Sequence, residues 1–113
     1  MILIVVKFPV RADRSADWLS EVAAFTAATR AEDGNVMFEW SRSVDEPDTF
    51  VLVEGFRDAA AGSAHVSSAH FTAGIETMTG LIAATPQIIN TDIPDRTGWS
   101  LMAEMQPRTA GAS

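Results

Sequence analysis

Two short runs of this chain, Ile2 to Val6 and Phe50 to Val53, are apolar at odd and even positions alike. Successive side chains of a β-strand point to opposite faces, so a strand with one face in water alternates apolar and polar residues. A strand that does not alternate asks for cover on both sides. Helices can supply one cover. A chain of 113 residues builds one domain with one modest core and has little left for the other side. A second copy of the chain is the simplest remaining cover, because a symmetric dimer uses one patch twice and buries apolar area worth about 25 cal/mol per Å². The alternative is that such short runs mark ordinary core positions and nothing more.

Turn and helix signals divide the rest. Met1 to Phe8 is a strand that closes at Pro9, which has no N–H for a ladder. From Ser15 to Arg30, Trp18, Val22, Phe25 and Thr29 recur at helical spacing, with Ser15 as expected N-cap, Asp17 in the first turn and Asp33-Gly34 as the stop. Val36 to Arg42 and Phe50 to Phe56 read as a hairpin around a polar loop containing Pro47. Asp58 is placed to cap a helix to Val66, and Ser68 to cap a second one carrying Phe71, Ile75, Met78 and Ile82. Gly74 and Gly80 weaken that helix and Pro86 is its expected end. Gln87 to Ile93 is a fourth strand, Pro94 to Gly98 a turn, and Trp99 to Met105 a last short strand. The expectation is an α+β chain of split βαβ, ferredoxin-like order with an antiparallel sheet. It forms one domain over residues 1–106 and a flexible tail over 107–113.

Composition removes several classes of function. Fifteen acidic residues against eight basic ones give a formal charge of −7, which repels phosphate backbones and anionic lipid, so nucleic acid and membrane are not expected partners. There is no cysteine, which excludes disulfides, thiolate metal sites and thiol nucleophiles. The N-terminal apolar run is too short to span a bilayer and lacks a basic leader and a cleavage site, so a cytoplasmic location is expected. No glycine-rich dinucleotide fingerprint and no P-loop is present.

His65 and His70 are the only histidines and the only side chains whose ordinary pKa suits proton exchange near neutrality. On one continuous helix they would diverge by about 140°, so they converge only if the chain breaks near Ser68. A purely structural role at the helix junction is the competing reading, and a metal site is not expected because no third ligand is marked by spacing. Glu54 sits among Leu52, Val53 and Phe56. Burial would raise its pKa and make it a base, whereas pairing with Arg42 or Arg57 would make it structural. Phe38 and Trp40 share a strand face and would form either an aromatic wall for a flat ligand or core. Asn35 would present a donor at a pocket mouth, or serve only as a turn residue.

The stretch from Thr29 to Phe71 resembles the antibiotic biosynthesis monooxygenase family. An R-x-E-x-G helix end, an aromatic-bearing strand, a D-x-P turn, F-x-L-x-E-x-F and A-x-x-x-H-x-x-S-x-H-F follow in order. They are Arg30, Glu32, Gly34, Phe38, Asp45, Pro47, Phe50, Leu52, Glu54, Phe56, Ala61, His65, Ser68, His70 and Phe71. The resemblance extends more loosely to the first strand and the closing GWSLMAEM. It implies a homodimeric α+β barrel with a pocket between each sheet and its own helices. It also implies a small quinol or other electron-rich aromatic substrate, oxidised with O₂ and no cofactor. The substrate would be its own reductant once a phenolic proton is lost, with His65, His70 and Glu54 as proton-handling groups and Asn35, Phe38, Trp40, Phe56 and Phe71 as substrate contacts. Leu52 and Phe56 stand where the polyketide-quinone branch carries Asn and Trp, and the first strand lacks the Asn of the haem-degrading branch. Both departures point away from those substrates. Two other functions fit the same residues: an isomerase or lyase that moves protons without consuming oxygen, and a non-catalytic dimeric binding or stress-response protein.

Overall fold

A computed structural model describes residues 1–109. Its elements are β1 (Ile2–Pro9), a 3₁₀ turn (Ser15–Asp17), α1 (Trp18–Glu21), α2 (Ala23–Arg30), β2 (Asn35–Arg42), β3 (Thr49–Phe56), α3 (Ala59–Val66), α4 (Ala69–Thr79) and β4 (Gln87–Asp92). The sheet is antiparallel with order β2-β3-β1-β4, the expected ferredoxin-like α+β fold. Among the described residues no helix is long and apolar enough to cross a membrane.

The double apolarity of β1 acquires a geometric meaning. Ile4, Val6 and Phe8 are buried beneath the helices, while Leu3 and Val5 on the opposite face are only half-buried. Val51 and Val53 of β3 are half-buried in the same way, with Val5 paired to Val53. Within one chain the helices cover one face and the other remains apolar and partly open.

The first helical region keeps its predicted face but not its predicted shape. Trp18, Val22, Phe25 and Thr29 are all buried, yet the run divides at Val22, whose φ/ψ of −94°/6° departs from helical values. Ser15 caps nothing: it is buried in the 3₁₀ turn, and no side-chain cap bond forms at the start of α1. Arg14 instead fixes this start by bonding Asp17 and Glu21. Trp18 anchors an aromatic cluster, its ring centroid 5.3 Å from Phe8, 5.6 Å from Trp40 and 5.9 Å from Phe50. Gly34 does not stop the helix through a left-handed conformation. Its role is spatial, because a Cβ there would lie 2.3 Å from the Cβ of Ala61.

The predicted caps of α3 and α4 are present. Asp58 accepts from the Ala61 N–H at 2.8 Å, and the Ser68 hydroxyl accepts from the Phe71 N–H at 3.1 Å. Helix α4 ends at Thr79, well before Pro86, with Gly80 at its C-cap and Leu81 folded into the core. Ile82 leaves the helical face to bridge Val10.

Trp99 to Met105 is not a strand. Asp95 takes φ 59° and Gly98 φ 153°, and this turn carries the chain away from β4, past Val36. The segment pairs with no strand among the described residues and instead turns at Ala103-Glu104, where the Met105 N–H donates to the Met102 carbonyl. Trp99 is 72% exposed and Leu101 98%. Of the tail expected at 107–113, residues 107–109 are irregular and exposed, and 110–113 lie outside the described residues.

Two glycines separate packing from helix propensity. A Cβ at Gly74 would lie 2.6 Å from the Phe25 ring, whereas one at Gly62 meets nothing within 4 Å. Gly62→Ala is expected to stabilise the fold by about 0.5–1 kcal/mol. Gly74→Ala, with the same propensity gain, is expected to destabilise it by about 1–2 kcal/mol through overpacking. Urea unfolding midpoints of the two variants check this.

Candidate active site

Between the sheet and its own α3 and α4 lies a cavity of about 510 Å³, within the ordinary range for a small-molecule site. Its walls are mainly apolar, with Ile4, Val6, Leu52, Phe71 and Met78 among them. Glu54 and His65 bring polar chemistry to this surface. Glu54 reaches it from the middle of β3, flanked across the ladder by Ile4 and Phe38. It is 5% exposed and has no arginine partner among its ion pairs. Loss of hydration, and then the negative charge of Glu32, push its carboxyl up to about 7.

His65 is 2% exposed, its ring set against Phe56 at 4.7 Å, Phe71 at 5.1 Å and Phe25 at 5.8 Å. Its two nitrogens face different partners. Nε2 lies 3.8 Å from Glu54 Oε1, and Nδ1 lies 2.7 Å from Glu32 Oε2. The chain break foreseen near Ser68 is real: the Ser68 hydroxyl donates to the His65 carbonyl at 2.6 Å while capping α4. The break redirects His70, whose Nε2 meets the same Glu32 oxygen at 2.5 Å.

Glu32 is therefore the centre of the polar constellation, although its place in the sequence gave no chemical reason to single it out beyond the family pattern. Four interactions hold its loop. The Arg30 guanidinium donates twice to the Phe38 carbonyl, the Glu32 N–H donates to Thr29 and the Asn35 N–H to Glu32. The Arg57 N–H donates to Gly34, which itself rests on Ala61.

The three donor atoms of Glu32, His65 and His70 lie within 4.8 Å of one another, close enough to be tested as a metal site. Tetrahedral zinc with bonds of about 2.0–2.1 Å holds its ligand atoms about 3.3 Å apart. The nitrogens here stand 2.7 and 2.5 Å from the oxygen, the spacing of charge-assisted N–H···O bonds. The arrangement fits protons shared by three groups better than it fits a tetrahedral cation.

The other candidate contacts separate by position. Phe71 lines the cavity, and Phe56 does not line it but backs His65. Phe38 and Trp40 lie in the aromatic core outside the cavity, and the Trp40 indole N–H donates to Thr26 at 2.9 Å. The Asn35 amide donates to the Met37 and Gly55 carbonyls at the bulge between β2 and β3, so it is a backbone brace and does not line the cavity. His70 also lies outside the cavity and opens, 28% exposed, onto a second cleft lined by Glu32, Asp33, Arg57 and Ser68.

Comparison with known proteins agrees with this architecture. The chain is 28% identical over 95 residues to the protein named "Putative monooxygenase YcnE" from Bacillus subtilis (strain 168), a match covering 84% of this chain and all of that one. Rv0793 from Mycobacterium tuberculosis superposes with a TM-score of 0.76 at 23% identity, covering 86% of this chain and 98% of that structure. The "putative antibiotic biosynthesis monooxygenase" from Nitrosomonas europaea gives 0.76 at 22% identity, covering 83% and 99%. At such identities the two structures establish the fold alone. The family described as antibiotic biosynthesis monooxygenase matches residues 1–77, a span that contains Glu32, Glu54, His65 and His70, and the chain belongs to that family.

Proposed function

We propose that the protein is a cofactor-independent oxygenase of a small quinol or related phenol, with Glu54 as the proton acceptor. The observation that carries this reading is a carboxyl group, 5% exposed, set in the wall of an apolar cavity, where burial pushes its pKa up to about 7. A general base is most effective with a pKa near the working pH, and water-excluding walls strengthen every charge interaction inside. The substrate's O–H bond breaks and its proton passes to Glu54. From there the proton moves to His65 Nε2, 3.8 Å away, a gap that a carboxylate torsion closes. The substrate anion gives one electron to O₂, and the resulting radical pair combines to form a C–O bond. The peroxide anion takes that proton back, and its ring C–H proton then leaves with the distal hydroxide as water, giving a quinone.

The half-open apolar face of the sheet and the exposed Trp99 to Met105 segment support a homodimer in which these two surfaces meet a second copy. The absence of a membrane-spanning helix among the described residues is compatible with the cytoplasmic location proposed for it. A stable interface of this type buries more than about 1,000 Å². Light scattering at micromolar concentration should give twice the chain mass, and a monomeric mass removes the dimer from the proposal.

Oxygen uptake with a panel of quinols, in air and under nitrogen, tests the chemistry. Turnover that persists under nitrogen sinks the oxygenase reading in favour of an isomerase or lyase, and bound quinol without turnover favours a binding protein. Glu54→Gln and His65→Asn are each expected to lower turnover by roughly 10²-fold. Because the acceptor is the ionised carboxylate, the wild-type rate should rise with pH through about 7.

The same group makes stability depend on pH. A carboxyl raised from 4.5 to about 7 on folding favours the folded state while it is protonated, so its contribution is complete below 4.5 and is lost as pH rises through 7. Glu54→Gln should therefore be more stable than wild type at pH 8, by up to about 3 kcal/mol. The difference should shrink toward pH 5. Thermal unfolding at the two pH values reads this directly, and an equal effect at both contradicts it.

A further inference from the structure

One oxygen atom, Glu32 Oε2, receives both His65 Nδ1 and His70 Nε2, and the two rings face different compartments. His65 is 2% exposed and borders the substrate cavity, whereas His70 borders the outer cleft. We infer that Glu32 is a shared counter-charge coupling the two histidines, so that a proton arriving at His65 promotes release of the proton held by His70 to the outer cleft. The inference rests on the proposal that the cavity is where substrate is deprotonated.

The geometry makes the coupling anticooperative. A carboxylate has one charge to offer, and both rings draw it through the same oxygen. Their centroids lie 6.0 Å apart, so two imidazolium ions also repel each other directly, in partly buried surroundings that screen them little. The remaining charged groups facing the unit are placed outside this shared contact. Glu54 faces His65 from β3. Arg57 and Asp33 face the His70 cleft and pair with each other at 3.4 Å, and Glu21 of α1 lines the groove on the other side of His70.

The proton balance closes. The substrate O–H bond breaks and, by way of Glu54, an N–H bond forms at His65 Nε2. The N–H bond at His70 Nδ1 breaks, and that proton goes to water or buffer in the outer cleft. Glu32 keeps its charge throughout; when the peroxide takes the proton back from His65 through Glu54, His70 Nδ1 regains one from the outer cleft and the pair is reset. His70 acts here as a positioning residue: it touches neither substrate nor cavity, and works through Glu32.

With only two histidines in the chain, both ring signals can be followed by NMR in the full-length protein without substrate. Replacing His70 by Gln is expected to move the titration midpoint of His65 to higher pH, because Glu32 then serves one imidazole. Replacing Glu32 by Gln is expected to move both midpoints to lower pH. A His65 midpoint unchanged in His70→Gln overturns the coupling. With any quinol that wild type oxidises, His70→Gln should lower turnover, by up to roughly 10²-fold, and added imidazole should restore it by taking the place of the lost ring on Glu32 Oε2 and supplying the proton released to the cleft. A loss that no added base relieves is structural and overturns the release role. The midpoints are read without turnover, so if no quinol reacts they alone sustain or sink the coupling, and failure of the oxygenase reading stays separate from failure of this one.

Discussion

The bond from Glu32 to two histidines ties together parts of the chain that nothing local would hold. Glu32 follows α2, His65 lies on α3 and His70 on α4, separated by 33 and 38 residues. A charge brought this far from water is stable only when its lone pairs are occupied. Once the carboxylate is in place, α3 and α4 have to meet at an angle that delivers both rings to it. The angle comes from Ser68, whose hydroxyl accepts from the first turn of α4 and donates to the end of α3. The cavity is the space that this angle leaves between the two helices and the sheet.

The sheet thus has two ends with different duties. At one end Phe8, Trp18, Trp40 and Phe50 fill the space under the helices with rings in mutual contact. At the other, His65 contacts Phe56 and Phe71 on the border of an unfilled volume. Aromatic density at the first end holds the scaffold, so the second end can remain hollow without losing its shape.

Much of this was legible in the residues. Asp58 and Ser68 act through local hydrogen bonds, and the face of Trp18, Val22, Phe25 and Thr29 depends on spacing alone, so both survive folding as read. Glu54 was recognisable as an acid in an apolar strand. What was not legible depends on distant partners. Ser15 fails as a cap because Arg14 organises that turn instead. Asn35 and Trp40 carry polar groups that a ligand would suit equally well, and only the fold shows them bonded to Gly55 and Thr26. Trp99 to Met105 has strand composition without a strand's neighbour in its own chain, and composition cannot supply a ladder. Glu32 is an ordinary surface-type residue by its surroundings in sequence, and gains its importance from two side chains that arrive more than thirty residues later.

The contact of Gly34 with Ala61 has a consequence for how such a chain can change over generations. The two positions share one volume, since a methyl group at residue 34 would occupy the place of the Ala61 methyl. The loop bearing Glu32 and the helix bearing His65 are held at their mutual distance by this contact. A lineage that acquires a side chain at 34 must first have surrendered the one at 61, because the opposite order passes through an ancestor whose two surfaces are forced apart. The pair therefore admits one side chain between its two positions, and every unstrained route between the two sequences passes through an ancestor with glycine at both.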